Sequence, residues 1–165
     1  MVRETAVRWI EDMGSDELCE YLPQLVQALK HETYLLNPLV SFLMERALMS
    51  PTLAHRLYWL LMTSHPQGEG ETPLDTRFYP HLKLMANILA QLCGKSLCQL
   101  FSKQMRLVQH LNEAAAHIKA SKDSLRLPVL GREMEGLHHW LSDSPTCMGH
   151  FDCQFLFLFL GRIIG

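Results

Sequence analysis

The chain has 165 residues, of which 48% are hydrophobic and 19% charged, and its formal net charge is −2. A chain of this length reads as a single domain that buries roughly 70% of its extended surface, and the composition is globular, not disordered. The slightly negative balance, with no lysine or arginine cluster, excludes the basic footprint of a nucleic-acid binder.

The opening MVRETAVRWIEDM alternates charged with apolar residues and has no continuous apolar core, so it is not a signal peptide. Val2, Ala6, Val7 and Ile10 share one face of a short helix there, with Trp9 beside it, and Met13-Gly14 ends it. No apolar run reaches the roughly 18–20 residues of a transmembrane segment. Five cysteines, an odd number without a secretory signal, fit a reducing compartment, and the expected location is cytoplasmic.

Ser15 to Met62 reads as three amphipathic helices joined by short turns. Ser15 stands before an acidic first turn, Asp16 and Glu17, which suits a helix N-terminus. Leu18, Leu22, Leu25 and Leu29 then stack on one face, and Pro23 predicts a bend near Leu22 or a helix that begins there. Asn37-Pro38 and Ser50-Pro51 each place a capping residue before a proline at the first helical position. The apolar sets that follow are Leu39, Phe42, Leu43 and Ala47, then Leu53, Leu57, Leu60 and Leu61. Helices joined this tightly must pack antiparallel.

Ser64 to Pro73, rich in proline and glycine, is the clearest loop. Phe78, Leu82, Met85, Leu89 and Leu92 trace the next helical face, which ends near Gly94. A helix from about Lys95 uses Leu97, Phe101, Met105, Val108, Leu111 and Ile118 and contains the strong helix former Ala114-Ala115-Ala116. The last helix lies near Ser124 to Leu141, through Leu130, Met134, Leu137 and Trp140, although Pro128 and Gly131 weaken its first half. The reading is all-α: six or seven helices in an armadillo-like α-solenoid of stacked antiparallel hairpins. The tail from Ser142 holds Phe155 to Leu160, six apolar residues without a charge. That run is far too short to span a membrane and, if exposed, is an aggregation hazard.

The run EYLPQLVQALKHE, with PLVSFLMERAL and AHRLYWLL after it, resembles the helical accessory (PIK) domain of phosphoinositide 3-kinases, and most of all the class II enzymes. The phrases that carry the resemblance are Gln24 to Glu32, then Arg46-Ala47-Leu48, then His55 to Leu61 with its Trp59. GKSLCQLFSKQMRLVQHL extends it, so that it covers roughly Val2 to Leu141. The expected organisation is a partial accessory domain over 1–141, beginning partway through the family's domain, and a divergent, irregular tail over 142–165. The tail departs from the family, whose chain would enter the kinase domain here, and a splice-derived or artefactual terminus is the preferred explanation.

By this resemblance the parent is a peripherally membrane-associated lipid kinase that phosphorylates the 3-hydroxyl of inositol lipids with ATP and Mg²⁺. The accessory domain would be the scaffold on which its kinase and lipid-binding modules pack. The chain itself shows no glycine-rich nucleotide loop, no Asp-Phe-Gly metal motif and no His-Arg-Asp or Asp-Arg-His loop, so no catalytic, cofactor-binding or metal residue is assigned and no enzyme activity is expected of it alone.

The remaining chemistry has simpler readings. Gly94-Lys95-Ser96 ends like a phosphate loop, but position 89 is Leu where that motif needs glycine, so Gly94 reads as a glycine between helices. His138, His139, Cys147, His150 and Cys153 have zinc-ligand chemistry without a standard spacing, and a zinc enzyme built on them would hold stoichiometric metal. Cys93 and Cys98 read as small core residues, and His31, His55, His110 and His117 as packing or surface histidines. Glu45, Arg46 and Arg56 read as surface ion pairs, and Tyr58-Trp59 as core or interface area. The expected core is Leu25, Leu29, Phe42, Leu57 and Trp59. The alternative function is a free-standing α-solenoid adaptor that binds a protein partner or competes with the full-length kinase.

Overall fold

Two capping residues set the sharpest boundaries. The Asn37 side chain accepts a 2.9 Å hydrogen bond from the Val40 amide and donates its own NH₂ to the Tyr34 carbonyl. Ser50 Oγ accepts from Leu53 N at 3.4 Å, and in both cases proline follows at the first helical position, where its missing N–H costs nothing. The computed structural model describes residues 2–32, 34–64 and 73–143. Its helices are α1 Val2–Glu11, α2 Ser15–Ala28, α3 Pro38–Met49, α4 Pro51–Thr63, α5 Pro73–Leu92, α6 Lys95–Ala120 and α7 Arg126–Asp143, with 3₁₀ turns at Leu29–His31 and Asp123–Leu125. No strand occurs among the described residues. The fold is all-α.

Some local expectations shift. The cap of α2 is Gly14, not Ser15: the first turn closes between Leu18 N and the Gly14 carbonyl at 2.9 Å, and no side chain caps it. Pro23 neither ends nor restarts α2, which is one helix. Its buried face is Leu18, Leu22, Val26 and, one residue beyond the helix, Leu29, and that burial offsets the roughly 3 kcal/mol cost of an internal proline. Leu25 is only half-buried, as is Leu39 in α3, where Val40 is buried instead. Pro128 is the third residue of α7, and the first helical turn has no intrahelical N–H bond for a proline to remove.

The length suggests one domain, whereas the chain divides into two compact units, Met1–Cys98 and Gln99–Gly165. Among the described residues, none beyond Val108 is buried, so the buried side chains of the second unit, Phe101, Gln104, Leu107 and Val108, cluster near its start.

In the first unit α1 packs on α3, α2 on α4, and α3 on α5, while α3 and α4, and α4 and α5, also pair. Each helix therefore lies against the one two places later, which is the stacking of an α-solenoid. Helix α4 is the centre of this unit. Contact with α2, α3 and α5 buries Leu53, Ala54, His55, Leu57, Tyr58, Trp59 and Leu61, more than one face of the helix. Trp59 meets Tyr58 edge-on, with ring centroids 5.6 Å apart. Each large side chain so buried stabilises the fold by roughly 1.5–3 kcal/mol before the loss of its rotamer freedom is counted.

Arg46 joins α3 to the end of α1. Its Nη1 donates to the Glu11 carbonyl at 2.9 Å and its Nη2 to the Met13 carbonyl at 2.6 Å, while the guanidinium lies 5.9 Å from the Phe42 ring centroid. Glu11 ends α1, whose last carbonyls lack intrahelical partners, and Met13 lies two residues beyond it. Arg46 thus caps α1 with a charge, a role more specific than a surface ion pair.

The second unit contains an antiparallel hairpin of α6 and α7. The His110 ring lies 5.1 Å from Trp140, and His117 Nδ1 is 3.2 Å from Glu133 Oε1. Moving up α6 from His110 to His117 moves down α7 from Trp140 to Glu133. Between these contacts, Leu111, Ala114, Ala115 and Ile118 of α6 and Leu137 of α7 are half-buried.

Candidate functional site

Gly94 is the turn between α5 and α6. Its φ of +86° is the left-handed conformation that glycine adopts without a Cβ penalty, and the Cys93 amide bonds back to the Leu89 carbonyl at 2.9 Å to finish the α5 ladder. Lys95 and Ser96 are exposed at the start of α6.

The cysteines and histidines are spread among different environments. Cys19 is buried in α2, and burial pushes its thiol above the usual value, with Arg56 opposing that shift. Cys93 and Cys98 are half-buried and carry no disulfide, and burial, then the nearby Cys98, raises the Cys93 thiol. Tyr58 is likewise raised by burial and then by Cys98. A neutral, desolvated thiol is a poor nucleophile, which fits Cys19 and Cys93 as packing groups. His55 is buried in α4 and His31 is exposed, while His110 and His117 line the hairpin contacts described above. His138 and His139 are exposed on α7, whereas Cys147, His150 and Cys153 lie outside the described residues, as do Phe155 to Leu160 and most of the Ser64 to Pro73 loop. Among the described residues no group of three or more His, Cys, Asp or Glu side chains is placed to hold a metal.

What the folded chain does offer is apolar surface. In the first unit Leu84, Ile88 and Leu92 recur every four residues on α5 and are all exposed, beside a core face of Leu82, Met85, Ala86 and Leu89. The sequence pattern assigned Leu92 to the core face. The exposed stripe has its own signal, a second i, i+4, i+8 series offset from the first. Trp9 on α1 is 79% exposed, and Tyr34, Leu36 and Met49 are also open to solvent. In the second unit α7 exposes Leu127, Leu130 and Met134, of which the latter two lie on the helical face that the sequence traced through Leu137 and Trp140. Such stripes on a folded helix are candidate contact surfaces. None of the helices searched among the described residues is long and apolar enough to cross a membrane.

The family described as Phosphoinositide 3-kinase family, accessory domain (PIK domain) matches residues 1–102. The chain is 40% identical over 147 residues to the phosphatidylinositol 3-kinase C2 domain-containing subunit gamma of Homo sapiens, covering 88% of this chain and 9% of that protein. It is 41% identical over 134 residues to the phosphatidylinositol 4-phosphate 3-kinase C2 domain-containing subunit alpha of Pongo abelii, covering 81% of this chain and 8% of that protein. With the beta subunit of Homo sapiens the identity is 36% over 146 residues, again 88% of this chain and 8% of the relative. The chain thus spans less than a tenth of the length of these relatives, and over that stretch it belongs to the phosphoinositide 3-kinase family, as a helical accessory domain of the class II-like kind.

Proposed function

We propose that the chain is a scaffold: a partial accessory domain over residues 1–141 whose exposed apolar faces seat the kinase and lipid-binding modules of a class II-like phosphoinositide 3-kinase. The observation that carries this reading is the exposed Leu84, Ile88 and Leu92 stripe on α5, inside the segment matched by the accessory-domain family. A rigid stack with an unpartnered apolar stripe suits a platform better than a catalyst. The chemistry would belong to the parent, an ATP-dependent 3-kinase of inositol lipids peripherally associated with the cytoplasmic face of membranes. The chain alone transfers no phosphoryl group in this reading.

The test is calorimetric titration of the chain with the kinase module of the human gamma subunit, alongside a Leu84→Glu/Ile88→Glu double variant. Both substitutions are exposed, so helicity is retained, while binding falls at least tenfold. If the wild-type chain does not bind, or the folded double variant binds equally well, the scaffold reading is wrong, and a free-standing adaptor with an unrelated partner takes its place. In the same preparation, the chain with ATP, Mg²⁺ and phosphatidylinositol vesicles yields no 3-phosphorylated lipid.

A further inference from the structure

Helix α5 keeps one side open. Contacts with α3, α4 and the 3₁₀ turn at Leu29–His31 cover its other side, where Leu82, Met85, Ala86 and Leu89 are buried. Leu84, Ile88 and Leu92 are 44%, 39% and 57% exposed. At steps of four they form a ridge about 12 Å long, a shape that fits the groove between side-chain rows of another helix. Lys83, Asn87 and Gln91 run exposed along one edge of it, each one position before a ridge residue. Lys95, also exposed, lies three residues past Leu92, beyond the Gly94 turn.

The charge on this face has one sign. No aspartate or glutamate occurs between Asp75 and Glu113, a stretch that holds Arg77, Lys83, Lys95, Lys103 and Arg106, although the whole chain has a net charge of −2. Among the elements packed on α5, α4 and Leu29–His31 contain no acidic residue and α3 contains Glu45.

We infer that the α5 ridge takes an amphipathic helix whose own apolar ridge is flanked by aspartates or glutamates. The inference rests on the scaffold reading and adds to it the chemistry of the partner. Leu84, Ile88 and Leu92 supply the apolar centre of such a contact, while Lys83 and Lys95 at its rim speed encounter and fix orientation. A second copy of the chain fits less well, because a two-fold pairing of α5 with itself sets like charges together. An anionic bilayer also fits less well. A polybasic anchor takes about four to eight clustered cations, and the described exposed side chains of α5 include no Trp or Tyr to sit at a lipid interface.

The experiment is surface plasmon resonance on the immobilised full-length chain. The probes are the kinase module of the human gamma subunit, vesicles containing phosphatidylserine, and two hydrocarbon-stapled helical peptides. The peptides share one leucine ridge, flanked by glutamates in the first and by lysines in the second. At low salt the glutamate peptide is expected to bind at least tenfold tighter than the lysine peptide. Lys83→Glu/Lys95→Glu, both at exposed positions, reverses that preference and slows association of the kinase module about tenfold, while Leu84→Glu/Ile88→Glu abolishes peptide binding. Circular dichroism confirms that both variants are folded. If the module binds but the two peptides bind alike, if neither peptide binds, or if the charge variant leaves the module's association unchanged, the inference is overturned and the scaffold reading survives. If the module does not bind at all, the scaffold reading fails, and the peptides alone decide the inference. Vesicles that bind the wild-type chain and not Leu84→Glu/Ile88→Glu would overturn it in favour of a membrane.

Discussion

Replacing Arg46 with Met tests the argument most directly, because it keeps the unbranched stem and deletes only the guanidinium. Two bonds are lost, at 2.9 Å to the Glu11 carbonyl and 2.6 Å to the Met13 carbonyl, together with the contact over Phe42. A charged hydrogen bond is worth about 1.5–3 kcal/mol when sheltered, and an exposed cation–π contact about 0.5–1 kcal/mol. The exposed Glu11 bond is largely offset by water, so the part-buried Met13 bond, at about 1.5 kcal/mol, and the Phe42 contact, at about 0.5 kcal/mol, set a total of about 2 kcal/mol. Among the described side chains of α1 only Val7 is buried, so this loss falls on the docking of α1 and not on the whole stack. Amide hydrogen exchange reads it locally: protection across Thr5–Glu11 falls about 30-fold, while α4 is unaffected. Arg46→Lys, with one donor in reach, lies between. If α1 protection in Arg46→Met stays within threefold of wild type, the clamp is not what holds this helix.

Three further outcomes follow from the same geometry. Leu22→Asp, at 0% exposure, abolishes the cooperative melt seen by circular dichroism, whereas Leu25→Asp, half-buried, lowers the midpoint but leaves a folded stack; equal effects would mean that the α2 face is wrongly assigned. Asn37→Ala removes an N-cap and costs about 1 kcal/mol in urea unfolding, and an unchanged midpoint would show that the Pro38 start needs no cap. Burial raises the Cys19 thiol and the Tyr58 phenol, so the folded state holds those protons more tightly than the unfolded chain. The sign is then fixed: their contribution is intact below pH 9 and stability falls as pH rises above it, each group adding a slope of up to about 1.4 kcal/mol per pH unit. Cys19→Ala flattens the curve just above pH 9, and identical curves for variant and wild type would refute the assignment.

Local signals in the sequence were legible where one residue decides the outcome. Asn37-Pro38, Ser50-Pro51 and Gly94 each fix a boundary through their own backbone or side chain, and the structure places helix ends at all three. Leu29, Phe42, Leu57 and Trp59 were identified as core and are buried; around Phe42, Leu57 and Trp59 the adjacent Leu43 and Tyr58 are buried too, so either choice of face reaches the core. Leu25 and Val26, or Leu39 and Val40, differ by about 100° around a helix, and only the neighbouring helix decides which of the two is covered. Tyr58 was read as core or interface area and is buried, whereas His55 was left between packing and surface, and its burial follows from α4 being packed on by three helices. Arg46 was visible within the Arg-Ala-Leu phrase, but its partners are carbonyls some 35 residues earlier, and carbonyls leave no mark on a sequence. The exposed stripes on α5 and α7 are apolar like the core, so composition does not separate a surface from an interior.

The stacking of each helix on the one two places before it also bears on the order in which the chain is made. Synthesis proceeds from the N-terminus at about 5–20 residues per second, slowly compared with the microsecond formation of a helix. When α3 emerges, α1 is already present to receive it; α4 then finds α2 and α3, and α5 finds α3 and α4. No helix of the first unit must wait for a distant partner from the far end of the chain. Each addition covers the apolar face left open by the one before, so the growing polypeptide shows the cell only one unfinished edge at a time.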